Sequence, residues 1–236
     1  MPSRAFLICA FCAAVVAAPV RAQNADFTVT VSGLKAGTFS IAAKTNGKTY
    51  AVTSQAASAG LAGLFRSFSY TSKVSGTVSE GRLRPKTYSA RSDGSRAGRS
   101  AELAFRNGVP QVISVASEPD PDTPKVDPSS LNGVVDPLTG LYSVLRDTTP
   151  TAACQIDLTM FDGHRVSRVT VSGARQTDAG VLCDGVYRRV AGYPAKDLAE
   201  RSSFPFTVLY TPRDKVLQAQ ELTMNSLFGP ARMTRN

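Results

Sequence analysis

The chain has no tryptophan, a single histidine and four cysteines, and its one long apolar run stops at 14 residues. One histidine excludes a multi-histidine metal centre and most imidazole-based proton relays. A run of 14 residues is shorter than the roughly 20 that a spanning helix needs. There is no Gly-x-Ser-x-Gly elbow, phosphate-binding glycine loop or His-Glu-x-x-His motif, so the common sequence signatures of hydrolases and nucleotide enzymes are missing. Acid is the scarcer charge, 18 Asp and Glu against 27 Lys and Arg, for a formal charge of +9. At 42% hydrophobic and 19% charged, the composition is that of a folded chain and not a disordered one. A domain of 236 residues buries roughly 70% of its unfolded surface. No metal or cofactor is therefore needed to hold it together, and none is expected.

What is present begins with an address. Arg4 precedes the apolar run Ala5–Ala18, Pro19 breaks it, and Val20-Arg21-Ala22 satisfies the small-x-small rule for cleavage before Gln23. Residues 1–22 read as a cleaved secretory signal, leaving residues 23–236 as one β-rich domain. Cleavage removes Arg4, Arg21, Cys9 and Cys12, so the mature chain has 25 basic and 18 acidic residues, a net +7. Its two cysteines, Cys154 and Cys183, are expected to pair in an oxidising compartment. Their spacing is not the C-x-x-C of a redox pair, and one His cannot complete a zinc site. The expected localisation is the periplasm, which excludes nucleic acid as a partner.

The dominant hydrophobic period along the mature chain is two. Phe27, Val29 and Val31 alternate with polar residues, as do Phe39, Ile41 and Ala43, and Asn46-Gly47 marks a tight hairpin. Residues 57–65 fit either a short helix or a glycine-kinked strand. Asp93-Gly94 and Asn107-Gly108 punctuate further strands up to Val115, and residues 118–133 form a Pro/Asp-rich loop. Residues 136–146 are the one clear helix. Asp136 is placed to cap it, Pro137 suits its first turn, and Leu138, Leu141, Tyr142 and Leu145 make one apolar stripe. Strands resume at Ile156, turn at Asp162-Gly163 and finish at Val216–Thr223 after a last turn at Thr211-Pro212-Arg213-Asp214. The expected fold is mainly all-β. A long antiparallel meander of ten or eleven strands is coiled into an open barrel or half-barrel, with the helix against it or inside it.

Several segments together are similar to a known family. They are SGLKAGTF around Gly37, AGLAGLF at 59–65, the Gly81-x-Leu83-x-Pro85-x-x-Tyr88 segment, DPLTGLYSVLR at 136–146, CQIDLTMFDGHR at 154–165 and CDGVYRRVAGY at 183–193. The chain resembles the exported proteobacterial family catalogued as domain of unknown function 3108, over nearly all of its mature length. The resemblance implies a periplasmic β-rich fold akin to half-barrel lipid or lipoprotein carriers, and no established activity. It also places a basic residue after Phe-Asp-Gly where this chain has His164, which argues against His164 as a catalytic base.

Two function classes follow. The first is a soluble, non-catalytic periplasmic protein that maintains the envelope by binding a lipid, lipopolysaccharide, lipoprotein or other envelope component. Its candidate surface comes from charge. Nine basic residues between Arg66 and Arg106 face only Glu80, Asp93 and Glu102, a local net of +6. By strand parity Arg82, Arg84, Lys86 and Tyr88 share one face. The plainer explanation is an edge strand whose cations and Pro85 prevent sheet-to-sheet pairing. The second class is a hydrolase using His164 or a carboxylate pair, Asp157 with Asp162 or Asp184. Asp120, Asp122 and Asp127 lack a calcium-loop frame. An outer-membrane barrel is disfavoured by weak alternation and the absence of tryptophan girdles.

Overall fold

A computed structural model describes residues 21–59, 68–94, 99–116 and 122–236. The apolar run at 5–18, residues 60–65 of the undecided segment, and Asp120 lie outside them. Seven strands come first: β1 (Arg21–Val31), β2 (Leu34–Thr45), β3 (Thr49–Ser58), β4 (Ser69–Ser79), β5 (Arg82–Asp93), β6 (Arg99–Arg106) and β7 (Val109–Val115). A 3₁₀ turn at Pro128–Ser130 and the helix α1 (Pro137–Leu145) follow. The second run is β8 (Ile156–Phe161), β9 (Val166–Thr177), β10 (Gly180–Ala191), the short helix α2 (Ala195–Glu200), β11 (Ser203–Arg213), β12 (Val216–Ser226) and β13 (Gly229–Arg235).

All thirteen strands join one antiparallel sheet in the order β7-β6-β5-β4-β3-β2-β1-β13-β12-β11-β10-β9-β8. Two meanders are thus zipped together where β1 pairs with β13, Phe27 opposite Arg235 and Val31 opposite Ala231. The sheet coils into a nearly closed barrel. Its free edges, β7 and β8, are spanned by the chain between them: Gly133 donates to the Gly108 carbonyl, and Val135 exchanges backbone hydrogen bonds with Thr159 and Phe161 of β8.

The period-two pattern explains the wall. Ala25, Phe27, Phe39, Ile41, Ala43, Tyr50 and Val52 point inward and are buried, and their polar neighbours face out. Inside sits α1. It touches β3, β4 and β5 on one wall and β8 and β12 on the other, and buries Leu138, Tyr142, Val144 and Leu145. Burial stabilises roughly 1.5–3 kcal/mol per large apolar side chain, so the helix is held by its surroundings more than by its own propensity. Asp136 caps it as expected, accepting the Thr139 amide at 2.9 Å. At its other end the Tyr210 hydroxyl donates to the Val144 carbonyl at 2.7 Å, and the Gln23 side chain bonds both the Leu145 carbonyl and the Asp147 amide.

The strand count exceeds the expected ten or eleven. β13, α2 and the first half of β10 lie outside the expected elements. Pro212 does not turn the chain but pairs with Leu217 inside the β11–β12 ladder, and the reversal falls at Asp214, at φ +53°.

Candidate anion-binding face

The β4–β5 ladder contains a bulge. Ser75 pairs with Thr87 and Gly76 with Pro85, which leaves Lys86 as the extra residue on β5. An inserted residue resets the two-residue alternation. Arg82, Arg84 and Lys86 are therefore exposed while Pro85 is buried, and Tyr88 turns inward. Tyr88 does not share the cationic face, contrary to the parity expectation. It is 4% exposed, and its hydroxyl lies 3.0 Å from that of Tyr70. β6 joins β5 only from Thr87 onward, so the Arg82–Lys86 half of β5 overhangs its neighbour. The placement of Pro85 fits this overhang, because an unpaired side tolerates a residue without an N–H.

Register carries the face further round the barrel. Thr87, Ser75, Ala51 and Lys44 lie in one row across β5, β4, β3 and β2, and all four are exposed. Lys44 and Lys86 flank a shallow depression of about 400 Å³ whose lining includes Asn46, Ala51, Ser75 and Gly76 and contains no carboxylate. Residues 27–92 hold nine basic residues and one acid, Glu80. Arg91 meets Asp93 at 3.2 Å, whereas no carboxylate among the described residues pairs with Arg82, Arg84, Lys86 or Lys44. The β8–β13 half is the opposite. There Arg168 grips Asp157 with two nitrogens, Arg175 grips Asp184, and Arg232 lies 3.6 Å from Glu221. A second concavity of about 940 Å³ spans β1 and β10–β13 and is lined by threonines with Phe206, Met224, Asp184 and Arg232.

The candidate catalytic residues are not assembled around one another. Asp157 and Asp184 sit on β8 and β10, with β9 between them. Arginine hydrogen bonds hold each carboxyl below its ordinary range. Asp162 is a turn former, its Oδ1 accepting the amides of His164 at 2.9 Å and Arg165 at 2.7 Å. Asp127 accepts from the Ser129 amide at the 3₁₀ turn. Among the described residues no group of three or more His, Cys, Asp or Glu is placed to hold a metal ion.

The interior holds a polar cluster that composition did not reveal. Asp136 is 0% exposed, and burial pushes its carboxyl up to about 6 despite the Thr139 donors. Burial likewise raises the hydroxyls of Tyr50 and Tyr88. The expected bridge is formed: Cys154 and Cys183 are bonded, with Cα atoms 5.3 Å apart. It ties the segment before β8 to β10. Cys183 is fully buried, and Cys154 adopts φ +59°.

An antiparallel barrel-like sheet with a helix inside defines the class structurally. The family model for proteins of unknown function DUF3108 matches residues 26–197, and the chain belongs to that family. No curated protein matches the chain. Among solved structures, it is similar to a crystal structure titled as a beta-barrel-like protein of domain of unknown function DUF1849 from Brucella abortus. The TM-score is 0.47 at 11% identity, covering 94% of this chain and 97% of that one. No helix of the described residues is long and apolar enough to cross a membrane.

Proposed function

We propose that this protein is an exported, non-catalytic component of the bacterial envelope that binds anionic envelope surfaces through the outer face of β2–β5. One observation carries the reading: Lys44 and Lys86, brought from strands β2 and β5, flank a depression without a carboxylate, beside the uncompensated Arg82 and Arg84. Phosphate-bearing lipid headgroups and lipopolysaccharide match that chemistry, each basic residue near such a surface contributing about 1 kcal/mol. Binding belongs on the outside because α1 packs against both inner walls, in the space where a half-barrel carrier would take an acyl chain. The periplasm suits the Cys154–Cys183 bridge. Cleavage before Gln23 keeps the side chain that bonds the end of α1.

The experiment is fractionation followed by sedimentation. The mature protein should leave the periplasm beginning at Gln23 by intact mass. It should pellet with vesicles of phosphatidylcholine and phosphatidylglycerol, and not with phosphatidylcholine alone. Retention of residues 1–22 would contradict export by cleavage, and equal pelleting with both vesicles would contradict anion recognition.

A further inference from the structure

Two hairpin turns lie side by side at one end of the barrel. β1 reverses into β2 at Ser32-Gly33, and β12 into β13 at Leu227-Phe228. Because β1 and β13 are paired, the tips abut. The Ser32 amide donates to the Pro230 carbonyl at 2.7 Å, and its hydroxyl to the Phe228 carbonyl at 3.3 Å. Ser226 fixes the second turn, accepting the Phe228 amide and donating to the Gly229 carbonyl. These braced tips carry large apolar side chains. Leu34 is 61% exposed, Leu227 40% and Phe228 83%, where turn chemistry ordinarily selects Gly, Asn, Asp or Ser.

Two cations adjoin the tips. Lys35 follows Leu34 and is exposed, and the Arg201 guanidinium donates to the Asn225 carbonyl beside the second turn at 2.7 Å, whereas Arg232 is bridged to Glu221. We infer that this double tip is a membrane-insertion wedge, seating Leu34, Leu227 and Phe228 at the acyl–headgroup boundary of an anionic bilayer. The inference rests on the envelope-surface reading above and specifies how the protein engages that surface. A convex pair of turns flanked by cations suits a deformable anionic interface, where apolar burial and charge attraction add. A protein pocket would instead have to be shaped to receive it. Leu34 opens the strand that carries Lys44 near its far end, so the wedge and the cationic face are joined by β2 and lie toward opposite ends of the barrel.

The absence of tryptophan supplies the test. Phe228→Trp places a unique fluorophore at an exposed position, with little consequence for folding. On equimolar phosphatidylcholine–phosphatidylglycerol vesicles its emission should shift to the blue and be quenched by acyl-brominated lipid. Leu34→Ser combined with Leu227→Ser, checked for native near-UV dichroism, should weaken vesicle binding roughly tenfold or more. If Phe228→Trp pellets with the vesicles but its emission stays unshifted and unquenched, the wedge is refuted and surface binding by the cationic face stands. If the protein does not pellet at low salt, both readings fall.

Discussion

The hydroxyl of Tyr50 lies 2.8 Å from that of Thr139, joining the wall of the barrel to the helix that fills it. Thr139 has one hydroxyl proton, and it points to Asp136 Oδ2 at 2.6 Å. While Asp136 is ionised that oxygen can only accept, so Tyr50 donates and Thr139 relays.

The relay predicts an asymmetry between two deletions. Tyr50→Phe removes one donor and leaves the Thr139–Asp136 bond intact, at a cost of about 1 kcal/mol. Thr139→Val strips the buried carboxylate of its hydroxyl donor and orphans the Tyr50 hydroxyl, at about 2–4 kcal/mol. Urea unfolding of the two variants and their double mutant checks this. Equal costs would show that the relay does not exist.

Asp136 also imposes a pH dependence. Its folded pKa of about 6 exceeds the ordinary aspartate value of about 3.9, so the folded state holds the proton more tightly. Stability from this group is fully present below about pH 4 and is lost as pH rises through about 6, a difference of roughly 3 kcal/mol. Asp157 and Asp184, whose carboxyls are held low, act in the opposite sense. Comparison of the wild type with Asp136→Asn isolates the buried group: the variant should gain relative stability between pH 4 and 7. Parallel stability curves would contradict the assignment.

Two glycines separate backbone constraint from side-chain adjustment. A Cβ at Gly76 would press on the Arg84 carbonyl and the Tyr50 ring, at the bulge that exposes Lys86. Gly76→Ala should cost about 2–3 kcal/mol. A Cβ at Gly140 meets the thioether of Met160, a flexible chain end, while helix propensity improves by up to about 1 kcal/mol. Gly140→Ala should stay within about 1 kcal/mol of wild type by thermal unfolding.

The bridge should behave as a structural disulfide. Cys154→Ser and Cys183→Ser are each expected to destabilise by about 2–5 kcal/mol, and by similar amounts, as removal of one closed loop requires. Labelling of both thiols in the native, oxidised protein would contradict this.

Much of this architecture is legible in the sequence where polarity contrasts with periodicity. β1, β2 and the Asp136-capped helix show such contrast. The first half of β10 does not. Its inward Val181, Cys183 and Gly185 and outward Leu182, Asp184 and Val186 differ little in character. β13 begins with Gly229-Pro230, a turn signal that here opens a strand. The cationic face was legible in charge but not in geometry. Parity placed Tyr88 beside Lys86, and only the ladder registers the extra residue opposite Ser75 and Gly76. The contribution of Lys44 was also hidden, because it arrives across three strands from more than 40 positions away in sequence.

The most direct measurement is vesicle and lipopolysaccharide binding by the mature protein across a salt series, with Arg82, Arg84 and Lys86 changed together to Ser. These side chains are exposed, so the variant should fold normally. Wild type should bind anionic vesicles tightly at low salt and lose affinity steeply as screening shortens the reach of charge, while the triple variant binds at least about tenfold more weakly. Equal binding by the two proteins, or no wild-type binding at low salt, would contradict the account and leave the three cations as protection for an overhanging strand.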